Sequence, residues 1–200
     1  EEAMQAEKKK ATGKIQEAWR KRQRKERLGA FQWFFSGEKE VEEKRGEVSF
    51  EVFTDGSGRN KEKGESHGGW GVWETAAESD WKIVTSRGGP VGGSGSNNRG
   101  EIQAIGEACK GLEEAVARGQ EKGMAVIRYD SVFAAKGVTG TQEVRENGLQ
   151  EELEKAQEAL LKLREKIEVR FMHVKGHSAN EGNDGADRAA EVGKSLAFTR

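Results

Sequence analysis

Residues 48–58 read VSFEVFTDGSG, with Val48, Phe50 and Val52 on one side of a period-two alternation and Ser49, Glu51 and Phe53 on the other. That pattern predicts a strand with one face turned inward. A polar, glycine-bearing turn from Arg59 to Gly69 follows, then two more strand-like stretches, GGWGVWE ending at Glu74 and WKIVTSRGG at 81–89. Three consecutive strands of this kind are most simply an antiparallel meander. From Asn97 the period becomes helical: Ile102, Ile105, Cys109, Leu112 and Val116 form one stripe, with asparagine as the expected N-cap and Gly119 as the expected C-cap. MAVIRYD at 124–130 is almost continuously apolar, as a central buried strand should be. A short helix near 131–136 comes next, then a long one at 148–166 that keeps Leu149, Leu153, Ala156, Leu160 and Leu163 in register. A fifth strand, IEVRFMHV at 167–174, leads through a polar loop into a last helix. The order βββ-α-β-α-α-β-α predicts an α/β fold, a five-stranded mixed sheet flanked by helices.

The first 46 residues have a different texture. Residues 1–30 are rich in Ala, Glu, Lys, Arg and Gln and contain no proline, so a helix is expected, with little apolar face between Ile15 and Leu28 to bury. The aromatic cluster Phe31, Trp33, Phe34, Phe35 is expected to pack, and GEKEVEEKRGE at 37–47 reads as a linker. The domain expectation is a basic helical extension and linker over 1–46 and an α/β domain over 47–200.

Composition refines this picture. The formal net charge is −1, but residues 1–46 hold 13 Lys/Arg against 9 Asp/Glu, and the remainder 21 against 26. The positive charge concentrates in Lys8, Lys9, Lys10, Lys14, Arg20, Lys21, Arg22, Arg24, Lys25 and Arg27. Such an arm reads either as a solvated helix or as an anchor for RNA or a ribonucleoprotein. The lone Cys109 excludes a disulfide framework and a cysteine-built metal site, and its place on the apolar stripe reads as a small buried hydrophobe. No apolar run is long enough for a helical membrane span. The chain begins at Glu1 rather than Met, so it reads as a processed or partial sequence of unknown preceding residues. An intracellular setting is expected, with an organellar, mitochondrial one suspected.

The candidate chemistry lies at the ends of the predicted elements. Asp55 follows strand one, where the glycines of FTDGSG are expected to let the backbone turn away. Glu101 is placed in the first turn of the helix after the Asn pair, Asp130 ends strand four, and Asp187 starts the last helix, ten residues after His177. Each acid alone has an ordinary explanation in helix-dipole or turn chemistry. Four together, at the ends of adjoining elements, repel one another unless a cation compensates, and oxygen-only ligands point to magnesium or manganese rather than zinc.

TDGS (54–57), NNRGE (97–101), YDS (129–131) and HVKGHS…GNDGAD (173–187) together resemble type 1 ribonuclease H in order and spacing. The resemblance covers about 48–195 and implies a ribonuclease H-like fold. It implies that Asp55, Glu101, Asp130 and Asp187 hold two Mg2+ ions (or Mn2+) and that His177 assists proton transfer and product release. It implies that Asn98 and Asn97 contact ribose hydroxyls of the RNA strand, that the Gly56 and Ser57 amides approach a phosphate, and that Ser131 stands beside the third acid. The implied activity is hydrolysis of the RNA strand of an RNA–DNA hybrid, leaving 5′-phosphate and 3′-hydroxyl ends.

Two departures stand out. The stretch 134–148 lacks the basic, tryptophan-bearing protrusion that many members use to grip the DNA strand, and position 132 is Val rather than Gln. One expectation is therefore that the basic arm supplies the missing phosphate attraction. The alternative reading is a ribonuclease H fold kept as a structural or RNA-anchoring part of a large ribonucleoprotein assembly such as an organellar ribosome. The intact set of acids weighs against it. Trp70, Trp73 and Trp81 are expected to pack on a sheet face.

Overall fold

In the computed structural model, strand β1 (Val48–Gly58) is the centre of the sheet. It pairs antiparallel with β2 (Gly68–Ala76), which pairs antiparallel with β3 (Ile83–Val91). On its other side β1 pairs parallel with β4 (Met124–Tyr129), and β4 pairs parallel with β5 (Glu168–His173). The order β3-β2-β1-β4-β5 makes one mixed five-stranded sheet, as the alternation pattern predicts. The helices are α1 (Glu2–Gly29), α2 (Glu38–Glu43), α3 (Asn97–Ala117), α4 (Val132–Val138), α5 (Gln150–Arg164) and α6 (Glu181–Leu196). The structure describes the chain except residues 1, 31–33, 59–66, 78–79, 81, 92–95, 120–122, 147, 176–179 and 197–200. Trp81, Phe31 and Trp33 therefore lie outside the described residues.

The chain divides into two compact units, Glu1–Gln32 and Trp33–Arg200. The first is the long basic helix α1, in which Ile15 and Trp19 are exposed and Arg22 pairs with Glu26 at 2.9 Å. Of its charged residues, Lys9, Lys10, Lys14, Arg20, Lys21, Arg22, Lys25 and Arg27 are exposed and Arg24 is buried.

The second unit holds the sheet and reaches further back than the sequence suggests. Residues 37–47 are not a linker: they form α2 and a 3-10 turn at Arg45–Glu47. One apolar residue explains it. Val41, in an otherwise charged run, packs against Val48, Met124, Val126 and Met172, which fixes the helix to the sheet. Before it, Phe34 and Phe35 run beside β5, where Ser36 donates a backbone hydrogen bond to the Phe171 carbonyl at 3.0 Å. The Phe34 and Phe171 rings meet edge to face at 6.1 Å. This covers an edge that would otherwise present unpaired backbone.

Helices α3 and α6 take opposite faces of the sheet. A Cβ at Gly56 or Gly58 would collide with the backbone of α3, whereas Phe53 and Ser57, on the alternate face, meet Gly182 and Glu191 of α6. The apolar stripe of α3 is buried at Ile102, Ile105, Cys109 and Leu112, and burial pushes the Cys109 thiol up to about 12. Helix α3 is capped by the Ser96 side chain, which accepts from the Arg99 amide at 3.2 Å, so the expected asparagine cap is one residue late. Gly119 takes a positive φ of 82° just past the helix end, where glycine is strongly preferred. Trp73 packs on Phe53, Val174 and Ala186, as expected for a sheet-face aromatic.

Candidate active site

Register brings the first two acids together. The parallel β1–β4 pairing sets Thr54 opposite Tyr129, so the next residues, Asp55 and Asp130, leave neighbouring strands side by side. The third comes from the helix on the back of β1. Gly56 has no side chain where α3 crosses, and this close approach carries Glu101 to the strand end. One carboxylate oxygen each from Asp55, Glu101 and Asp130 all lie within 4.8 Å of one another.

The electrostatics of this cluster follow from its burial. Asp55 is 8% exposed and Glu101 3%. Burial is the first cause that pushes the Asp55 carboxyl up to about 7, followed by the charge of Asp130. The Gly56 amide, which donates to Asp55 Oδ1 at 2.7 Å, and a hydrogen bond with Glu101 offset part of this, while Asp187 adds to it. Burial again leads in raising Glu101 well above the ordinary carboxylate range, with Asp130 and Asp55 next. The charges acting on both groups are other carboxylates. Among the described residues, the group is an oxygen-only cluster that costs free energy to ionise, a donor set that fits a hard divalent cation and not zinc.

The cluster opens on a polar cavity of about 270 Å³ that is also lined by Gly56, Ser57, Gly58, Asn97, Asn183, Asp184, Asp187 and Glu191. Asp187 thus shares the cavity with the other three acids, though it stands outside the tight group of three. It sits in the second turn of α6, which begins at Glu181, and not at the helix start. Likewise Glu101 is the fifth residue of α3, past the first turn. Nor do the glycines of FTDGSG turn the backbone away: β1 runs through them to Gly58, and their role is close packing.

The other expected site residues separate. Asn97 faces the cavity, with its amide 3.4 Å from Glu101 Oε1. Asn98 donates instead to Glu146 at 2.8 Å, in the segment before α5. The Gly56 amide is engaged by Asp55. The Ser57 hydroxyl donates to Glu191 and accepts from Lys194 Nζ at 2.9 Å, and Lys194 also pairs with Glu191 at 2.6 Å. Ser131 caps α4 by accepting from the Ala134 amide at 3.3 Å. His177 lies outside the described residues. Three lining residues escaped sequence reasoning: Asn183, Asp184 and Glu191. The signal was present, since Asn183, Asp187 and Glu191 are spaced four apart and so share one face of a helix.

Comparison with known proteins agrees with this geometry. The RNase H family model matches residues 47–195. Human ribonuclease H1 is 35% identical over 108 residues, covering 50% of this chain and 36% of its own length, so the chain spans about a third of that relative. Ribonuclease H of Treponema denticola is 26% identical over 164 residues, covering 72% of this chain and 95% of its own. Among solved structures, LC11-RNase H1, isolated from compost by a metagenomic approach, superposes with a TM-score of 0.57 at 22% identity, covering 75% of this chain and 98% of its own. Another structure of that protein is in complex with an RNA/DNA hybrid and matches with a TM-score of 0.57 at 21% identity, covering 74% of this chain and 99% of its own. With the match spanning the whole sheet and all four acids, this chain belongs to the RNase H family.

Proposed function

We propose that the protein is an endoribonuclease that hydrolyses the RNA strand of RNA–DNA hybrids and leaves 5′-phosphate and 3′-hydroxyl ends. The observation that carries this reading is the convergence of Asp55, Glu101 and Asp130 within 4.8 Å at one end of the sheet, with Asp187 on the same cavity. Family membership, and the fold shared with the hybrid-bound LC11-RNase H1, support this choice of substrate class.

Asp55, Glu101, Asp130 and Asp187 would hold two magnesium or manganese ions. Bound there, such ions supply an activated water and charge stabilisation for the leaving 3′ oxygen. The chain's own contribution is position and charge. Burial and neighbouring carboxylates push Asp55 and Glu101 up, so a divalent cation held there would relieve the cost of ionising them. Asn97, at the cavity wall beside Glu101, would donate to a ribose 2′-hydroxyl, the group that distinguishes RNA from DNA, and its amide 3.4 Å from Glu101 Oε1 supports this. Asn98 can do so once it leaves Glu146. His177 would take the role of proton carrier that the family resemblance implies. The exposed Lys9, Lys10, Lys14, Arg20, Lys21, Arg22, Lys25 and Arg27 of α1 supply phosphate attraction that the loop before α5 lacks, where Arg145 pairs with Glu143 at 3.1 Å.

The test is a panel of end-labelled duplexes with Mg2+: hybrid, double-stranded RNA and double-stranded DNA, each with and without EDTA. The expected result is metal-dependent cutting of the RNA strand in the hybrid alone. Equal cutting of double-stranded RNA, or no cutting by the folded protein, contradicts the proposal. The ribonucleoprotein-scaffold reading has no observation in its favour, because a scaffold gains nothing from a buried carboxylate cluster.

A further inference from the structure

Helix α6 brings more than Asp187 to the cavity. Asn183 lies one turn before it on the same face and lines the same cavity. Asn183 is 3% exposed, and its Oδ1 has no hydrogen-bond partner. The residue is not loosely placed. Its backbone amide donates to Asn180 Oδ1 at 3.2 Å, and that side chain also accepts from the Gly182 amide at 3.1 Å, capping the start of α6. Leaving a buried amide oxygen unmatched costs free energy. Native proteins keep very few such groups, and a bound water or ion is one of the usual reasons for them.

The surroundings say what kind. The cavity is lined by the carboxylates of Asp55, Glu101, Asp130, Asp184, Asp187 and Glu191, all acceptors when ionised, of which Glu191 is paired with Lys194. Another carbonyl oxygen among them meets no complementary charge from the lining. A cation, or a water held on one, satisfies Asn183 and the acids at the same time. A neutral amide suits the position, because it adds an oxygen donor without adding to the repulsion that already raises Asp55 and Glu101. We propose that Asn183 Oδ1 is an oxygen donor to a divalent cation or to a water bound on it, so that α6 supplies Asn183 and Asp187 as a pair. This rests on reading the acid cluster as a cation site.

The experiment is calorimetric titration of the full chain with Mn2+, without nucleic acid, for the wild type, Asn183→Ala, Asn183→Asp and Asp55→Asn, alongside thermal unfolding in EDTA. Asn183→Ala should bind Mn2+ about tenfold or more weakly. Its Tm in EDTA should stay level or rise, since an unmatched buried oxygen is gone. Asn183→Asp should bind Mn2+ more tightly and unfold earlier in EDTA, because it adds a further carboxylate to the cluster. Wild-type Mn2+ affinity in Asn183→Ala, with affinity lost in Asp55→Asn, overturns this inference and leaves the cation site standing. No Mn2+ binding by the wild type overturns both. If Asn183→Ala does not fold, the aspartate variant decides: tighter Mn2+ binding supports the assignment, and unchanged or weaker binding overturns it.

Discussion

Gly56 of β1 and Glu101 of α3 touch backbone to backbone. A Cβ at position 56 would collide with the Glu101 amide and lie 2.6 Å from the Gly100 carbonyl carbon. The site therefore depends on the absence of one methyl group. Gly56→Ala should push α3 off the strand, separate Glu101 from Asp55 and destabilise the domain by about 2–4 kcal/mol. Urea unfolding measures this. Gly46→Ala is the control, since nothing lies within 4 Å of a Cβ there, and its change should be within about 0.5 kcal/mol.

The protonation of the cluster sets a pH dependence. The native Asp55 carboxyl titrates at about 7 against 3.8 for an ordinary aspartate, and Glu101 is raised well above 4.5. Between about pH 4 and pH 7 the folded protein therefore holds protons that the unfolded chain has released. The sign follows: both groups favour folding below about pH 4, and the Asp55 contribution is lost as pH rises through about 7, that of Glu101 as pH rises through its own raised value. In EDTA the urea midpoint should fall across that range. Asp55→Asn should flatten the fall and raise stability at pH 8 by on the order of 2 kcal/mol. A midpoint that climbs with pH, once the Asp55→Asn profile is subtracted, would contradict the raised values.

Divalent cations should reverse the loss. At pH 8, Mg2+ or Mn2+ at about 100 times its dissociation constant should stabilise the folded state by about 2.7 kcal/mol. The rise in Tm should vanish in Asp55→Asn and in Asp130→Asn. A shift of equal size in those variants would place the ions elsewhere.

The basic helix gives a binding prediction. Its boundary is the end of the first compact unit at Gln32, since residues from Phe34 to Glu47 pack on β5 and β4 and belong to the sheet domain. Removing residues 1–32 should weaken hybrid binding and flatten its salt dependence by about 0.9 in log–log slope for each phosphate that α1 neutralises, the value for B-DNA. Fluorescence anisotropy at several salt concentrations reads both. An unchanged slope would free α1 from that role.

Much of the sheet was legible because alternation and run length report directly on burial. β4 is apolar except at Arg128 between two parallel neighbours, and α3 carries one stripe; β1 alternates in residue type, but helices on both faces of the sheet bury its two sides alike, so the expected single inward face does not hold. Asp130 was legible for the same reason, since the end of β4 can be read from the pattern, whereas β1 runs on past Asp55 and the other two acids stand inside helices. What was hidden depended on packing between distant segments. The glycines after Asp55 look like a turn in one dimension and are a packing groove in three. Val41 alone turns a charged stretch into α2, and a single apolar residue in such a run is too weak a signal to read. The start of α6 lay several residues earlier than placed, because Asn180 caps it through its side chain while the polar run GNDGAD suggested a loop. That misplacement concealed the face shared by Asn183, Asp187 and Glu191.

The most direct test of the central claim is anomalous scattering from crystals of the full chain soaked in manganese. The account predicts peaks in the cavity within coordination distance of Asp55 and Asp130, absent in crystals of Asp130→Asn. A well-ordered cavity with no manganese peak, while the ion occupies other acidic positions on the same molecule, would contradict it.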